Sequence, residues 1–294
     1  MTDSDNIDRR IYDLYDEYCH SAMSRREFLQ KASAITIAGV SGLAMAQSLL
    51  PRYAQAQTIS FTDERIKANY VDYDSPGGTS GAMQGYLVQP TTEGPHPAVI
   101  VIHENRGLNP YVEDVARRFA TMGFLALAPD GLYPVGGYPG NDDDGKALQS
   151  SLDQTKLKTD MLNSANFVKS HEASTGKLGS VGFCWGGGTT NFLAVEMGSD
   201  LSAGVPFYGA APASEDVAKI SAPLLVQAAE DDPRINGLWP DFEAALKAGG
   251  KTFDRQLYAG TKHGFHNNST PRYNEAAAQQ AETSTVEFFK QHLA

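Results

Sequence analysis

Cysteine is scarce in this chain. Two stand in 294 residues, Cys19 and Cys184, too few for a disulfide framework. Basic clusters are missing beyond the first segment and the net charge is −11. A nucleic-acid surface shows itself as a basic stripe or patch, so nucleic acid is not an expected partner. Internal repeats, low-complexity tracts and zinc-type Cys/His spacings are also missing, which excludes solenoids and zinc-stapled modules. What remains is ordinary globular material, 41% hydrophobic and 20% charged. It is enough for one large α/β domain with a sizeable core. The acidity favours solubility and selects no substrate.

The first 56 residues read as a targeting segment. Ser24-Arg25-Arg26-Glu27-Phe28-Leu29 resembles the twin-arginine export signal, S-R-R-x-F-L. A moderately apolar run follows from Ala32 to Leu50, Pro51 ends it, and Ala54-Gln55-Ala56 offers a small-x-small cleavage site. A charged start, apolar middle and small-residue end mark a processing signal outside the fold. The reading implies export to the periplasm from a cytoplasmic precursor, with the twin-arginine machinery as partner. The run also reaches membrane-span length, so an uncleaved anchor would make membrane contact. A competing reading is an amphipathic N-terminal helix packed on the domain. Cleavage after Ala56 would leave Cys184 as the sole cysteine, and an unpaired thiol in an oxidising compartment fits a catalytic role.

From about Ile66 strands and helices alternate. Tyr70 to Tyr73 and Gly85 to Val88 open as a strand pair around the turn Ser75-Pro76-Gly77-Gly78. Pro97 to His103 is a continuous apolar run, as a parallel strand buried on both faces should be. A helix is expected over Asn109 to Met122, with Pro110 at a favourable first position. The next strand is Gly123 to Ala128. Tyr133 to Asp144 is a Gly-, Pro- and Asp-rich loop, and a helix then runs to about His171. Further strands are expected at Lys177 to Val181, Leu201 to Tyr208, Ala222 to Ala228 and Phe253 to Tyr258, and a last helix at Glu275 to His292. The fold class is therefore α/β, a mainly parallel sheet with helices on both faces. Its active site should lie at the carboxyl ends of the strands.

The chemistry centres on Gly182-Phe183-Cys184-Trp185-Gly186, which fits G-x-nucleophile-x-G between a buried strand and a helix. Such a turn holds its pivot side chain exposed above the sheet in a strained conformation. The amide of Trp185 can then face a developing oxyanion. A buried, inert cysteine in a Gly-rich turn is the plainer alternative. A thiol nucleophile needs a base and the base an orienter, in the chain order nucleophile, acid, histidine. Asp232 follows the strand at Leu224 to Gln227, and His263 follows the strand ending at Tyr258. Asp231 and His266 are the runners-up. The second oxyanion amide is expected from Asn105, after the Pro97 to His103 strand. Glu104 beside it stands where a carboxylate can take or hold the thiol proton, or else brace the loop against Arg106, Arg117 or Arg234.

These residues resemble the dienelactone hydrolase family. The matching motifs are HENRGLN (His103 to Asn109), GFCWGG around Cys184, PFYG (Pro206 to Gly209), DPRIN (Asp232 to Asn236) and HGF (His263 to Phe265). The resemblance implies an α/β-hydrolase fold, a Cys184–His263–Asp232 triad, no metal or organic cofactor, and a glutamate, Glu104, that accepts the thiol proton when substrate binds. The implied reaction is hydrolysis of an ester or enol-lactone through an acyl-thioester. Two departures stand out. Enzymes acting on dienelactone hold its carboxylate with two arginines, and neither Leu132-Tyr133-Pro134 nor Gly264-Phe265-His266-Asn267 supplies one. Losing such clamps costs about 1.5–3 kcal/mol each, so the substrate need not be dienelactone. Arg106 and Arg234 are candidate replacements. Tyr133, Tyr138, Phe265 and Trp185 are candidate pocket walls, with core packing the equal alternative for each. A general carboxylesterase or thioesterase would use the same triad, whereas a non-catalytic exported binding protein would not need it. Thioredoxin-like cycling lacks a second cysteine in the mature chain.

Overall fold

The computed structural model describes residues 8–294 apart from positions 22, 38 and 39. Its centre is an eight-stranded sheet. In chain order the strands are β3 (Ile66–Ser75), β4 (Gly81–Pro90), β5 (His96–Ile102), β6 (Leu125–Pro129), β7 (Ser174–Phe183), β8 (Ala203–Phe207), β9 (Leu224–Asp231) and β10 (Phe253–Lys262). Across the sheet they run β10-β9-β8-β7-β5-β6-β4-β3. The pairs from β10 to β6 are parallel, and β4 and β3 add an antiparallel edge, with Tyr70 opposite Tyr86.

The apolar strands alternate between two cores, as a period of two requires. Val99 and Val101 of β5 face one layer with α5 (Pro110–Thr121) and α11 (Glu275–His292). Ala98, Ile100 and Ile102 face the other, with α7 (Gln154–Ser170), α8 (Trp185–Met197) and α10 (Trp239–Ala248). Asn109 caps α5 by accepting from the Val112 amide, and Pro110 fills its first turn, as that sequence dictates. The helix expected up to His171 is two, α6 (Asp142–Ser151) and α7. The break falls at Asp153, whose side chain accepts from the Thr155 and Lys156 amides and restarts the helix.

The N-terminal segment departs from its expected place outside the fold. Its described residues form α1 (Arg9–His20), α2 (Arg25–Ser33), a hairpin of β1 (Thr36–Ile37) and β2 (Val40–Ser41), α3 (Leu43–Ser48) and α4 (Tyr53–Ala56). Helices α1, α2 and α3 share a core that includes Ile11, Tyr15, Phe28 and Leu49, while Tyr53 of α4 packs against the core of the main sheet. Ser24 and Glu27 close a reciprocal capping box on α2, so the serine and glutamate of the twin-arginine-like motif also start a helix. The apolar run from Ala32 to Leu50 is divided among these short elements. No helix among the described residues is long and apolar enough to cross a membrane. The segment packs on the domain. The Asn105 side chain donates to the Cys19 carbonyl at 3.0 Å, and Lys146 Nζ donates to the Tyr18 and Met23 carbonyls.

Candidate active site

Cys184 sits between the end of β7 and the start of α8 with φ +56° and ψ −112°. An L-residue pays for that conformation, and such strain persists where the surroundings enforce it. Two glycines make the turn possible. A Cβ on Gly182 would lie 2.1 Å from the Gly186 carbonyl oxygen, and one on Gly186 would lie 2.4 Å from that of Ile102. The helix therefore presses directly against the strand ends, and its first amide, that of Trp185, opens beside the thiol.

The candidate base and acid lie at the ends of two adjacent strands. His263, one residue past β10, and Asp232, one past β9, meet through Nδ1 and Oδ2 at 2.6 Å. Asp232 also caps α9 (Pro233–Asn236) by accepting from the Ile235 amide. Asp231 is engaged elsewhere, 2.5 Å from Lys262 Nζ and 3.4 Å from Arg9 of α1. His266 is no alternative base. Its Nδ1 pairs with the Tyr111 hydroxyl at 2.7 Å and its Nε2 lies 3.5 Å from Glu282. Burial pushes its pKa down.

Electrostatics favour a charged His263. Burial opposes the imidazolium, but the Cys184 thiolate, the hydrogen bond to Asp232 and the hydrogen bond to Cys184 outweigh it, and the pKa is raised. Burial likewise opposes the Asp232 carboxylate, yet His263 holds its pKa below the usual range.

Glu104 is 4% exposed and accepts from Asn267 Nδ2 at 3.1 Å. Burial raises its pKa, Arg106 pulls it down, and the Cys184 charge adds to the rise. A carboxylate whose folded pKa is raised gives its greatest stability below the unfolded pKa and costs stability as pH climbs above it. Glu104→Gln should therefore raise the melting temperature at neutral pH, with the gain vanishing near pH 4, while lowering the esterase rate. Thermal melts at both pH values, run beside kinetics, check the pair.

Other expected residues fall less uniformly. Asn105, Trp185 and Arg234 line a cavity of about 740 Å³ that reaches Cys184. The Trp185 ring stacks on His103 with centroids 5.4 Å apart. Arg234 Nη2 approaches His263 Nδ1 at 3.5 Å. Arg106 belongs instead to a buried ion pair with Asp142 at 2.6 Å, both side chains 7% exposed. It is a brace for the loop and not a substrate ligand. Phe265 is a core residue, fully buried against Tyr258 and Tyr208, because the turn after His263 points it back under the sheet edge. Tyr133 lies in a short 3-10 turn (Tyr133–Val135), away from the residues of this cavity. The Tyr138 hydroxyl binds Asp142 at 2.9 Å, and Tyr138 lines a different cavity beside Tyr53. Arg117 pairs with Asp114 and Glu113.

Three features escaped sequence reasoning. Tyr208 adopts φ +36° and packs its ring against His263, tilted by 57° with centroids 4.8 Å apart; the PFYG motif was the available signal. Asn267 holds Glu104, a contact across 163 positions that no local pattern announces. Helix α1 covers one flank of the triad. Arg9, Tyr12, Asp13 and Asp16 share a cavity of about 160 Å³ with Asp232 and His263. Buried Arg272 reaches Asp16 at 3.6 Å and Cys19 Sγ at 3.9 Å.

Comparison with known proteins places most of the chain in one family. The dienelactone hydrolase family matches residues 83–293, and a family described as YqhI-like matches residues 1–38. The Escherichia coli (strain K12) hydrolase fragment YghX is 56% identical over 117 residues, 40% of this chain and 99% of that protein. A Saccharolobus solfataricus protein carrying the name carboxymethylenebutenolidase is 32% identical over 71% of this chain and 93% of its own. Among solved structures, a dienelactone hydrolase-like promiscuous phosphotriesterase from metagenomic libraries superposes with TM-score 0.68 at 25% identity, over 78% of this chain and all of its own. The chain belongs to the dienelactone hydrolase family and is a hydrolase of the α/β-hydrolase fold.

Proposed function

We propose that the protein hydrolyses carboxylic esters or lactones through Cys184 and an acyl-thioester. The observation that carries this reading is the hydrogen-bonded sequence Asp232–His263–Cys184, whose thiol end lines the cavity of about 740 Å³. The Cys184 thiolate attacks the carbonyl carbon, and the C–O π pair moves to oxygen. The amides of Trp185 and Asn105 receive that oxyanion. As the pair returns, the C–O bond to the leaving group breaks, and the His263 imidazolium gives its proton to the departing oxygen. Water then surrenders a proton to His263 and attacks the thioester. The acid leaves and the thiolate is restored with its imidazolium. Asp232 fixes the imidazole and supports its charge throughout. The Cys184 charge acts on Glu104, which fits a carboxylate that holds the thiol or accepts its proton when substrate binds.

The residues of Leu132-Tyr133-Pro134 do not reach this cavity, and Arg106 is committed to Asp142. Arg234 and Lys158 are the cations that line the cavity. Simple esters are therefore expected to outpace a dienelactone. The test is hydrolysis of p-nitrophenyl acetate and of a dienelactone, before and after iodoacetamide. Turnover abolished by alkylation supports the reading, and turnover that survives complete alkylation of Cys184 removes it.

The N-terminal segment is proposed as a twin-arginine export signal that directs the folded enzyme to the periplasm. Arg25 and Arg26 are exposed on α2, so the motif is open to a partner while the domain is folded. Fractionation with intact-mass measurement tests this. A periplasmic product beginning near Gln57 supports it, and a full-length cytoplasmic product refutes it.

A further inference from the structure

The cavity at Cys184 does not stop at the triad. It continues along α8, whose Trp185, Thr189, Phe192 and Val195 line it; their spacing of three and four residues places them on one helix face. The opposite wall is the segment after β8. A Cβ on Gly188 would meet Ala210 at 3.5 Å, and one on Gly198 would meet the Lys219 carbonyl at 3.8 Å. The segment from Ala210 to Lys219 therefore runs alongside α8 for most of the helix. Ala211, Pro212 and Ala213 are the part that lines the cavity. Helix α7 closes the third side, with Lys158 Nζ 5.3 Å over the Phe192 ring. Charged residues, Glu196 and Asp216, stand at the far end. The result is a trough with largely apolar walls, beginning at the nucleophile and ending in polar groups.

We propose that this trough is an acyl-chain subsite, and that the preferred substrates are esters of unbranched, medium-length fatty acids. The inference rests on Cys184 being the nucleophile. From Trp185 to Glu196 the helix rises about 16 Å, which gives room for an extended chain of up to roughly twelve to fourteen carbons, since each C–C bond of about 1.5 Å advances the zigzag by about 1.25 Å. A five-membered lactone would leave most of the cavity empty. The trough takes the acyl side for a chemical reason. The leaving oxygen must lie within hydrogen-bond reach of His263, and His263 does not line the trough but faces the α1 side. The chain that stays bound to Sγ in the thioester is the one left to lie along α8.

The experiment holds the leaving group fixed. p-Nitrophenyl esters from acetyl to dodecanoyl are compared with the full-length protein. Each methylene buried in the trough should lower KM about two- to fourfold. Binding that is equal in ground and transition states moves KM and leaves kcat alone, so kcat should change little up to decanoyl. Ala211→Phe, near the nucleophile, should return octanoyl and decanoyl esters to the KM of the acetyl ester while acetyl turnover is kept. Ala213→Phe, farther out, should affect decanoyl more than hexanoyl. Calorimetric titration with decanoate gives a readout independent of catalysis, with binding expected in the wild type and weakened at least about tenfold in Ala211→Phe. Acetyl hydrolysis with a flat acyl chain-length profile would overturn the subsite and leave Cys184 chemistry standing. Loss of all ester turnover on wild type would instead defeat the nucleophile reading, and decanoate binding would still decide the trough.

Discussion

Cys184→Ala should bring ester hydrolysis down to the rate of uncatalysed solution chemistry plus what the oxyanion amides alone supply. The loss is expected at about 10⁴-fold or more, because a covalent nucleophile is removed and the remaining groups have nothing to activate. Cys184→Ser should keep a trace, since the base and the amides remain while the hydroxyl is held at a far higher pKa than a thiol. Both variants should fold, because the side chain is small and the φ +56° pivot is retained. Circular dichroism and thermal melts would separate a dead site from a lost fold. Equal rates in wild type and Cys184→Ala would assign the chemistry to another residue.

The same thiol sets the pH profile. In the proposed mechanism the reactive form is thiolate with imidazolium, so kcat/KM should rise as the thiol loses its proton and fall as His263 loses its own. His263 has its pKa raised, with burial opposing and the Cys184 charge leading the favourable side. The alkaline limb should accordingly lie above the ordinary histidine value near 6.5. The charged pair also contributes stability below the unfolded histidine pKa, and that contribution is lost as pH climbs through the folded one. In Cys184→Ala the thiolate is gone, and stability should depend less on pH in that window.

Much of this site was legible because it is written in short segments. A buried strand, a Gly-flanked pivot and a helix occupy contiguous residues around Cys184, and the acid and base each follow a strand by one position. The alternation of β5 and β6 between two cores could be read from apolar runs alone. Phe265 was misplaced because a histidine-adjacent aromatic looks like a pocket wall in sequence, whereas the turn buries it on Tyr258. Arg106 was misplaced for a related reason. A loop cation near a nucleophile resembles a substrate ligand until its partner, Asp142, is known, and that partner comes from a separate helix. The docking of α1 over His263 and Asp232 depends on contacts such as Asn105 with the Cys19 carbonyl. Its residues carry an apolar pattern that serves equally for a signal or a packed helix, so periodicity cannot separate the two.

Asp232→Asn and Asp231→Asn form the most discriminating pair after Cys184. Their carboxylates are neighbours in sequence but differ in partners: Asp232 meets His263 at 2.6 Å, Asp231 meets Lys262 at 2.5 Å. An asparagine at 232 can still touch Nδ1, yet its amide can donate where the carboxylate accepts, favouring the wrong tautomer and withdrawing the charge that supports imidazolium. In a comparable triad that exchange costs about 10⁴-fold in kcat. A preformed thiolate lessens the dependence on the orienter, so a loss of about 10²- to 10⁴-fold is expected here. The alkaline limb should also move toward acid, because the hydrogen bond that raises the His263 pKa is weakened. Asp231→Asn removes a partly exposed ion pair with Lys262 and Arg9, worth about 1 kcal/mol or less, and should leave kcat/KM within about threefold. A collapse of activity in Asp231→Asn with near-normal rates in Asp232→Asn would exchange their roles. Collapse in both, with His263 still alkylated or titrated as in wild type, would show that the negative charge of the β9 end acts as a unit.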